Sequence, residues 1–328
     1  MNDINKTRLE WLRDKYIDWL ITRDYSPFTI KHRRSFLDNF LKWCNDRSIG
    51  NPSEITREVM ERYRKYVFLY KTQKGKSLAR GSQQLWLVSL RAFFRWLSKQ
   101  GYMMYNPTAD LDLPREVKRI PRDVLSVSEV EAIFNQVDLS KPLGVRDRAI
   151  LETFYSTGMR RSELVKLQVK DIDIGRGVVM IIEGKGKKDR MVPIGERALT
   201  WIEKYLTEVR SVLAANATQD DGALFLGVKG VGLSSCTITS ICQRYILAAK
   251  IGKKGSCHIF RHTLATLMLD GGADIRYVQE ILGHESLKTT QIYTRVSIGK
   301  LKEVHEKTHP GAFLKRQPKK NRGQGDSF

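Results

Sequence analysis

The stretch between residues 106 and 122 constrains this chain more than any other, because it sets helix breakers, in Asn106-Pro107-Thr108 and from Leu113-Pro114-Arg115 to Pro121-Arg122, among Lys118, Arg119 and Arg122. Proline removes a backbone donor and pushes the residue before it into extended backbone, so no helix runs through. An extended basic linker is expected over residues 111–122, and the chain on either side must bury its own core. A length of 328 residues with 41% hydrophobic side chains is enough for two ordinary domains.

Residues 1–110 read as a small helical domain. Leu9, Leu12, Tyr16, Trp19 and Leu20 recur at helical spacing in a first segment, and Phe36, Phe40 and Trp43 in a second. Over residues 79–100, Trp86, Leu90, Phe93, Phe94 and Leu97 make one face while Arg91, Arg95 and Lys99 make another stripe. Like charges four apart cost a helix roughly a few tenths of a kcal/mol per pair, so this stripe asks for an anionic partner. A net charge of +21 over the whole chain makes nucleic acid the natural one.

Residues 123–296 read as a second domain, mainly α with a small β-sheet. It opens on a capping-box pattern at Ser126-Val127-Ser128-Glu129. Its one strand region pairs Val178 to Ile182 with Arg190 to Ile194 around a turn holding Gly184-Lys185-Gly186. Six residues spread over this half share one chemistry: Arg160, Lys185, His258, Arg261, His284 and Tyr293. Two arginines can clamp the free oxygens of a phosphodiester, a lysine and two histidines can move protons, and a tyrosine can form a covalent phosphoester. None of these steps needs a metal or an organic cofactor, and neither is expected. His258 and Arg261 are three apart on one helix face, with Arg261 expected in the first turn, where the helix dipole disfavours a cation; Arg160 likewise opens a helix. A phosphate at the two helix starts would remove that conflict.

The run Thr157-Gly158-Met159-Arg160-Arg161-Ser162-Glu163-Leu164, the hairpin tip, His258-x-x-Arg261, Leu282-Gly283-His284 and Thr290-Gln291-Ile292-Tyr293 resemble, in order, the motifs of tyrosine site-specific recombinases. The phage integrase and bacterial Xer branches are the most similar. The resemblance is strong over residues 120–309 and looser before them. It implies a helical, SAM-like core-binding domain followed by an α+β catalytic domain of the integrase type. Arg160 and Arg261 would then hold the scissile phosphate, with Glu163 orienting Arg160. Lys185 would protonate the departing 5′ oxygen, His258 would assist proton transfer at the tyrosine, and His284 would hydrogen-bond the phosphate. Tyr293 would attack, leaving a 3′-phosphotyrosine. Lys187 and Lys188 join Arg91, Arg95, Lys99, Lys118, Arg119 and Arg122 as expected DNA contacts, while Arg161, His262 and Arg190 match no catalytic position and are read as DNA-facing or structural.

The same resemblance implies a homotetramer on duplex DNA with paired inverted binding sites, the two domains clamping the duplex. Residues 297–309, with Ile298, Leu301 and Val304 at helical spacing, would dock on a neighbouring protomer. A second recombinase or an accessory DNA-bending protein stays open as a further partner. The tail 310–328 is basic without apolar anchors and is expected to be disordered. The tail, the polar insert at residues 138–142 and the loop around Gln219-Asp220-Asp221 favour integration or excision of a mobile element; chromosome or plasmid dimer resolution is the alternative. A type IB topoisomerase shares the tyrosine chemistry but is disfavoured by the terminal helix, and an architectural DNA-binding protein by the intact Tyr293. No signal-peptide pattern and no apolar run of membrane-spanning length occurs, so a cytoplasmic protein is expected. Cys44, Cys236, Cys242 and Cys257 form no C-x-x-C pair, which argues against a zinc site or a disulfide framework.

Overall fold

A computed structural model describes residues 7–73, 75–114, 123–182 and 189–283. The chain divides into two compact units, Met1–Lys118 and Arg119–Phe328. The division falls inside the stretch 111–122. Leu111 is buried in the first unit and Leu113 packs against the same core, so the start of that stretch belongs to the first unit. Lys118, Arg119 and Arg122 lie outside the described residues.

Among its described residues the first unit has four α-helices: α1 (Arg8–Thr22), α2 (Pro27–Asn45), α3 (Arg57–Leu69) and α4 (Arg80–Lys99). Two of the starts show their local cause. Thr7 accepts from the Glu10 amide while the Glu10 carboxylate accepts from the Thr7 amide, closing a capping box on α1. Ser26 caps α2 ahead of Pro27, whose missing donor costs nothing at a first helical position. The core is unusually aromatic. Tyr16, Phe40, Tyr63, Phe93 and Phe94 are fully buried. Phe40 meets Tyr63 edge-on at 4.8 Å between ring centres, and Phe93 meets Phe94 at 5.4 Å, arrangements that set a positive ring edge against a negative face. Helix α4 buries Trp86, Leu90, Phe93, Phe94 and Leu97, as its spacing requires, and keeps Arg95 and Lys99 in solvent with Arg91 half-buried.

The second unit is mainly helical. It comprises α5 (Val127–Phe134), α6 (Pro142–Thr157), α7 (Arg161–Lys166), α8 (Glu196–Tyr205), α9 (Ser211–Ala214), α10 (Ser235–Ala248), α11 (Cys257–Asp270) and α12 (Ile275–Leu282), with one π-helical turn at Leu206–Arg210. An antiparallel sheet in the order β1 (Ile172–Asp173), β2 (Val178–Ile181), β3 (Arg190–Pro193) stands between α7 and α8 in the chain. Its register pairs Val178 with Pro193 and Ile181 with Arg190. Lys185 falls between β2 and β3 in the sequence, and residues 183–188 lie outside the described set. Helix α6 is buried nearly all round, including four charged side chains that pair along it: Arg146 with Asp147 at 2.7 Å and Arg148 with Glu152 at 2.9 Å. Removing one partner of such a pair leaves an uncompensated buried charge, so these bonds specify the position of α6. No helix among the described residues is long and apolar enough to cross a membrane.

Helix α6 ends at Gly158 in the left-handed region, with φ 59°, and this reversal delivers Arg160 to the start of α7. A Cβ there would come within 2.7 Å of Leu264 Cδ2 and 3.0 Å of Leu282 Cδ2. Gly158→Ala is therefore expected to destabilise the protein by about 1–3 kcal/mol, measured as a lower midpoint in urea unfolding. A midpoint equal to that of the unaltered chain would show that the turn tolerates a side chain.

Candidate active site

Three guanidinium groups meet at the C-terminus of α12. Arg190 Nε donates to the Ile281 carbonyl at 3.2 Å, Arg261 Nη2 to Leu282 at 2.6 Å and Arg160 Nη2 to Gly283 at 2.8 Å. The last carbonyls of a helix lack intrahelical donors and carry the negative end of its dipole, so a cation placed there satisfies both. Arg261 also donates from Nη1 to the Gly158 carbonyl at 2.7 Å, which closes α6 in the same way. This alters the sequence-based expectation for Arg261. It is the fifth residue of α11, past the first turn, and its charge is set against two helix C-termini. Only 4% of it is exposed.

Glu163 ties two of the three arginines together. Its Oε1 accepts from Arg160 Nη1 at 2.7 Å and from Arg190 Nη1 at 2.9 Å, while Oε2 accepts from Arg190 Nη2 at 2.8 Å and from the Arg160 amide at 2.7 Å. The Arg190 contact is a two-bond fork of the kind guanidinium geometry favours. The Glu163 side chain is 4% exposed, which excludes a loose surface pair. Burial alone would raise its pKa, but the Arg190 bonds, the Arg160 amide and the charge of Arg190 hold it down at about 2.

Sequence reasoning placed Arg160, Glu163, His258 and Arg261 in the site, and among the described residues these four gather around the ends of α6 and α12. His258 lies one helical turn before Arg261. Burial of part of its ring, and then the charges of Arg261, Arg161 and Arg160, push its pKa below the usual histidine value. A neutral imidazole at neutral pH is able to accept a proton. Lys185, His284, Tyr293, Lys187 and Lys188 lie outside the described residues, as do the expected terminal helix 297–309 and the tail 310–328. The described chain ends at Gly283, the residue before His284, where α12 is closed by the three arginines.

Arg190 was not assigned to the site from sequence. A signal was present in the strand alternation: Met191 and Pro193 of β3 are exposed and Val192 is buried, so Arg190 shares the inward side with Val192. The carbonyls that receive the guanidinium groups carry no sequence signal at all. In the first unit, Arg95 and Lys99 line a cavity of about 380 Å³ together with Arg23, Arg33, Tyr16, Trp19, Tyr25 and Trp96, and no carboxylate lines it. Arg23 and Arg33, from α1's cap and α2, extend the expected stripe of cations.

The Glu163 network sets a pH dependence. Its folded-state pKa lies below the ordinary value of 4.5, so its stabilisation is complete above pH 4.5 and disappears as pH falls through about 2. The unaltered chain is expected to lose on the order of 3 kcal/mol between those limits that Glu163→Gln does not lose, read as the difference between the two stability curves in urea. Parallel curves would mean that the carboxylate is not held by its arginines.

Residues 123–299 match the phage integrase family. The chain is 43% identical over 304 residues to tyrosine recombinase XerC 2 of Ralstonia nicotianae, covering 93% of this chain and 86% of that protein. It is 36% identical to tyrosine recombinase XerC of Oceanobacillus iheyensis, covering 93% and 98%. Among solved structures, the XerH site-specific recombinase bound to palindromic difH substrate superposes with a TM-score of 0.70 at 22% identity, covering 89% of this chain and 83% of that one. The Tn1549 transposon integrase in complex with circular intermediate DNA gives 0.67 at 20% identity, covering 88% and 95%. Those two likenesses establish the integrase fold. The chain belongs to the phage integrase family, as a tyrosine recombinase of the Xer-like branch, an enzyme that cleaves and rejoins DNA.

Proposed function

We propose that this chain exchanges strands between two specific duplex sites through a 3′-phosphotyrosine intermediate. The observation that carries the proposal is the gathering of Arg160, Arg261 and His258 at the end of α12 that leads into His284 and Tyr293. Arg160 and Arg261, held by Glu163 and by backbone carbonyls, would bind the non-bridging oxygens of the scissile phosphate. Fixed cations of this kind stabilise the charge that develops in the transition state without reorganising at that moment. Tyr293, with an ordinary pKa near 10, needs such neighbours and a proton acceptor, and His258 supplies the acceptor. Lys185, on the β2–β3 turn, would protonate the 5′ oxygen that departs, and His284 would hydrogen-bond the phosphate. The covalent phosphoester conserves the energy of the broken bond, so rejoining needs no nucleotide and no metal.

In the first unit Arg91, Arg95, Lys99 and Lys118, and beyond it Arg119, Arg122, Lys187 and Lys188, would neutralise backbone phosphates, which makes binding steeply salt-dependent. The enzyme would work in the cytoplasm as a homotetramer on paired inverted sites. Integration and excision of a mobile element are the outcome we assign from the basic tail and polar inserts. Resolution of chromosome or plasmid dimers, the alternative, uses identical chemistry and fits the likeness to the XerC and XerD recombinases as well.

Two variants test these roles. Incubated with fragments of the source genome, the unaltered chain is expected to trap one or two short, imperfectly palindromic sites in a denaturant-resistant complex, whereas Tyr293→Phe binds the same fragments and traps none. Covalent product with Tyr293→Phe would remove Tyr293 as the nucleophile, and unselective trapping would favour a topoisomerase. Lys185→Ala is expected to cleave slowly and to recover on a 5′-phosphorothiolate substrate, whose leaving group needs no acid. Failure to recover would assign Lys185 to DNA binding alone.

A further inference from the structure

We infer that Arg190 is a positioning residue for the cleavage reaction, acting on Arg160 through Glu163. The inference rests on the recombinase reading above, but its geometric basis is independent of it. Arg190 opens β3, opposite Ile181, and each of its three guanidinium nitrogens donates to one of two targets: the fork to both Glu163 oxygens at 2.9 and 2.8 Å, and the Ile281 carbonyl at 3.2 Å. It is thus fastened at once to the residue that holds Arg160 and to the helix end that precedes His284. Its side chain is 12% exposed and lies against Gly283, where an added Cβ would come within 2.9 Å of its Nε and Cζ. The missing side chain at Gly283 is what leaves room for the guanidinium at this helix end. A purely DNA-facing arginine would direct its donors outward, and this one directs them inward.

The reason one carboxylate needs two arginines follows from the bonds. Arg160 gives Glu163 one side-chain bond, from Nη1, and uses Nη2 on Gly283. Its backbone amide holds the other oxygen, Oε2, so without Arg190 the carboxylate keeps one bond from the Arg160 main chain and one from the guanidinium that it has to position. The Arg190 fork fixes the plane of the carboxylate, so the direction in which Oε1 meets Arg160 is also fixed. Among the described residues, the charged groups that bond Glu163 are Arg160 at the start of its own helix and Arg190 from β3, with Lys166, Lys170 and Asp171 lining the groove beside it. Losing Arg190 leaves Glu163 buried with half its partners, and its protonation then releases Arg160 at a pH where the unaltered chain keeps it bound.

The test uses the full chain with Arg190→Gln, Arg190→Lys, Glu163→Gln and the double variant Arg190→Gln/Glu163→Gln, on a duplex fragment that the unaltered chain traps covalently. Arg190→Gln is expected to slow single-turnover cleavage on the order of ten- to a hundredfold while the Kd for the fragment changes by less than about threefold. Its rate is expected to gain, beyond the limb that His258 gives every form, a further acid limb that Glu163→Gln lacks, since a glutamine cannot titrate. The double variant is expected to be no slower than Glu163→Gln alone, as residues acting through one another are not additive. Arg190→Lys, which keeps the charge without the fork, is expected to fall near Arg190→Gln; it also guards against a folding defect from lost charge. Multiplied effects in the double variant, a parallel loss of affinity, or the absence of that further acid limb would each overturn the inference.

A second readout needs no DNA. With Glu163 carrying a ¹³C-labelled carboxyl group, its resonance is expected to titrate near pH 2 in the unaltered chain and above the ordinary glutamate value of 4.5 in Arg190→Gln. An unmoved titration would overturn the coupling of Arg190 to Glu163, whereas absence of any trapping by the unaltered chain would overturn the recombinase reading instead.

Discussion

The second unit is organised by guanidinium groups closing helix ends. Arg160, Arg190 and Arg261 each take one of three successive carbonyls, Gly283, Ile281 and Leu282, and Arg261 takes Gly158 as well. A helix C-terminus buried without donors costs several unsatisfied carbonyls, and a buried arginine without acceptors costs more. Brought together, each relieves the other. The result joins four elements from distant parts of the sequence: α6 through its last turn, α7 through Arg160, β3 through Arg190 and α11 through Arg261. Glu163 then binds two of the three cations to each other, and within this set three positive charges face one negative.

That imbalance suits an enzyme whose substrate is a phosphodiester. Cations held by bonds formed during folding need not be reoriented when the phosphate arrives, so the cost of ordering them is met before the reaction begins. The same arrangement explains why glycine occurs where it does. Gly158 and Gly283 both take positive φ, at 59° and 60°, and both are closely approached, the first by Leu264 and Leu282 and the second by Arg190. Each turn exposes the carbonyl that an arginine needs, and a side chain there would strain the backbone and press on those neighbouring side chains. Packing, backbone conformation and charge are thus satisfied by one set of residues, and a change in any of them propagates to the others.

Much of this was legible in the sequence. The apolar spacing of α4 and of Leu9, Leu12, Tyr16 and Leu20 in α1 predicts the buried faces found, because helical period and burial are directly linked. The β2–β3 hairpin follows from two short β-branched runs flanking a glycine turn. Arg160, Glu163, His258 and Arg261 are recognisable by order and spacing. The role of Arg190 was not legible as part of a basic run, since a charged residue beside Lys187 and Lys188 reads as solvent-facing until its strand alternation is counted. The position of Arg261 was misjudged by about one residue of helix start, which matters because it exchanges a first-turn cation in conflict with the dipole for a cation that completes two other helices. Backbone carbonyls, the main acceptors here, belong to every residue alike and leave no mark in a sequence.

The most direct measurement is a crystal structure of Tyr293→Phe bound to a duplex it captures, at a resolution that places the arginine side chains. If the cations are organised before substrate binds, Arg160 and Arg261 will keep their bonds to Glu163, Gly158, Leu282 and Gly283 and will reach the phosphate with their remaining N–H groups. Guanidinium groups that leave those carbonyls to meet the phosphate would contradict that organisation, and would make the cluster a resting arrangement that the reaction has to break.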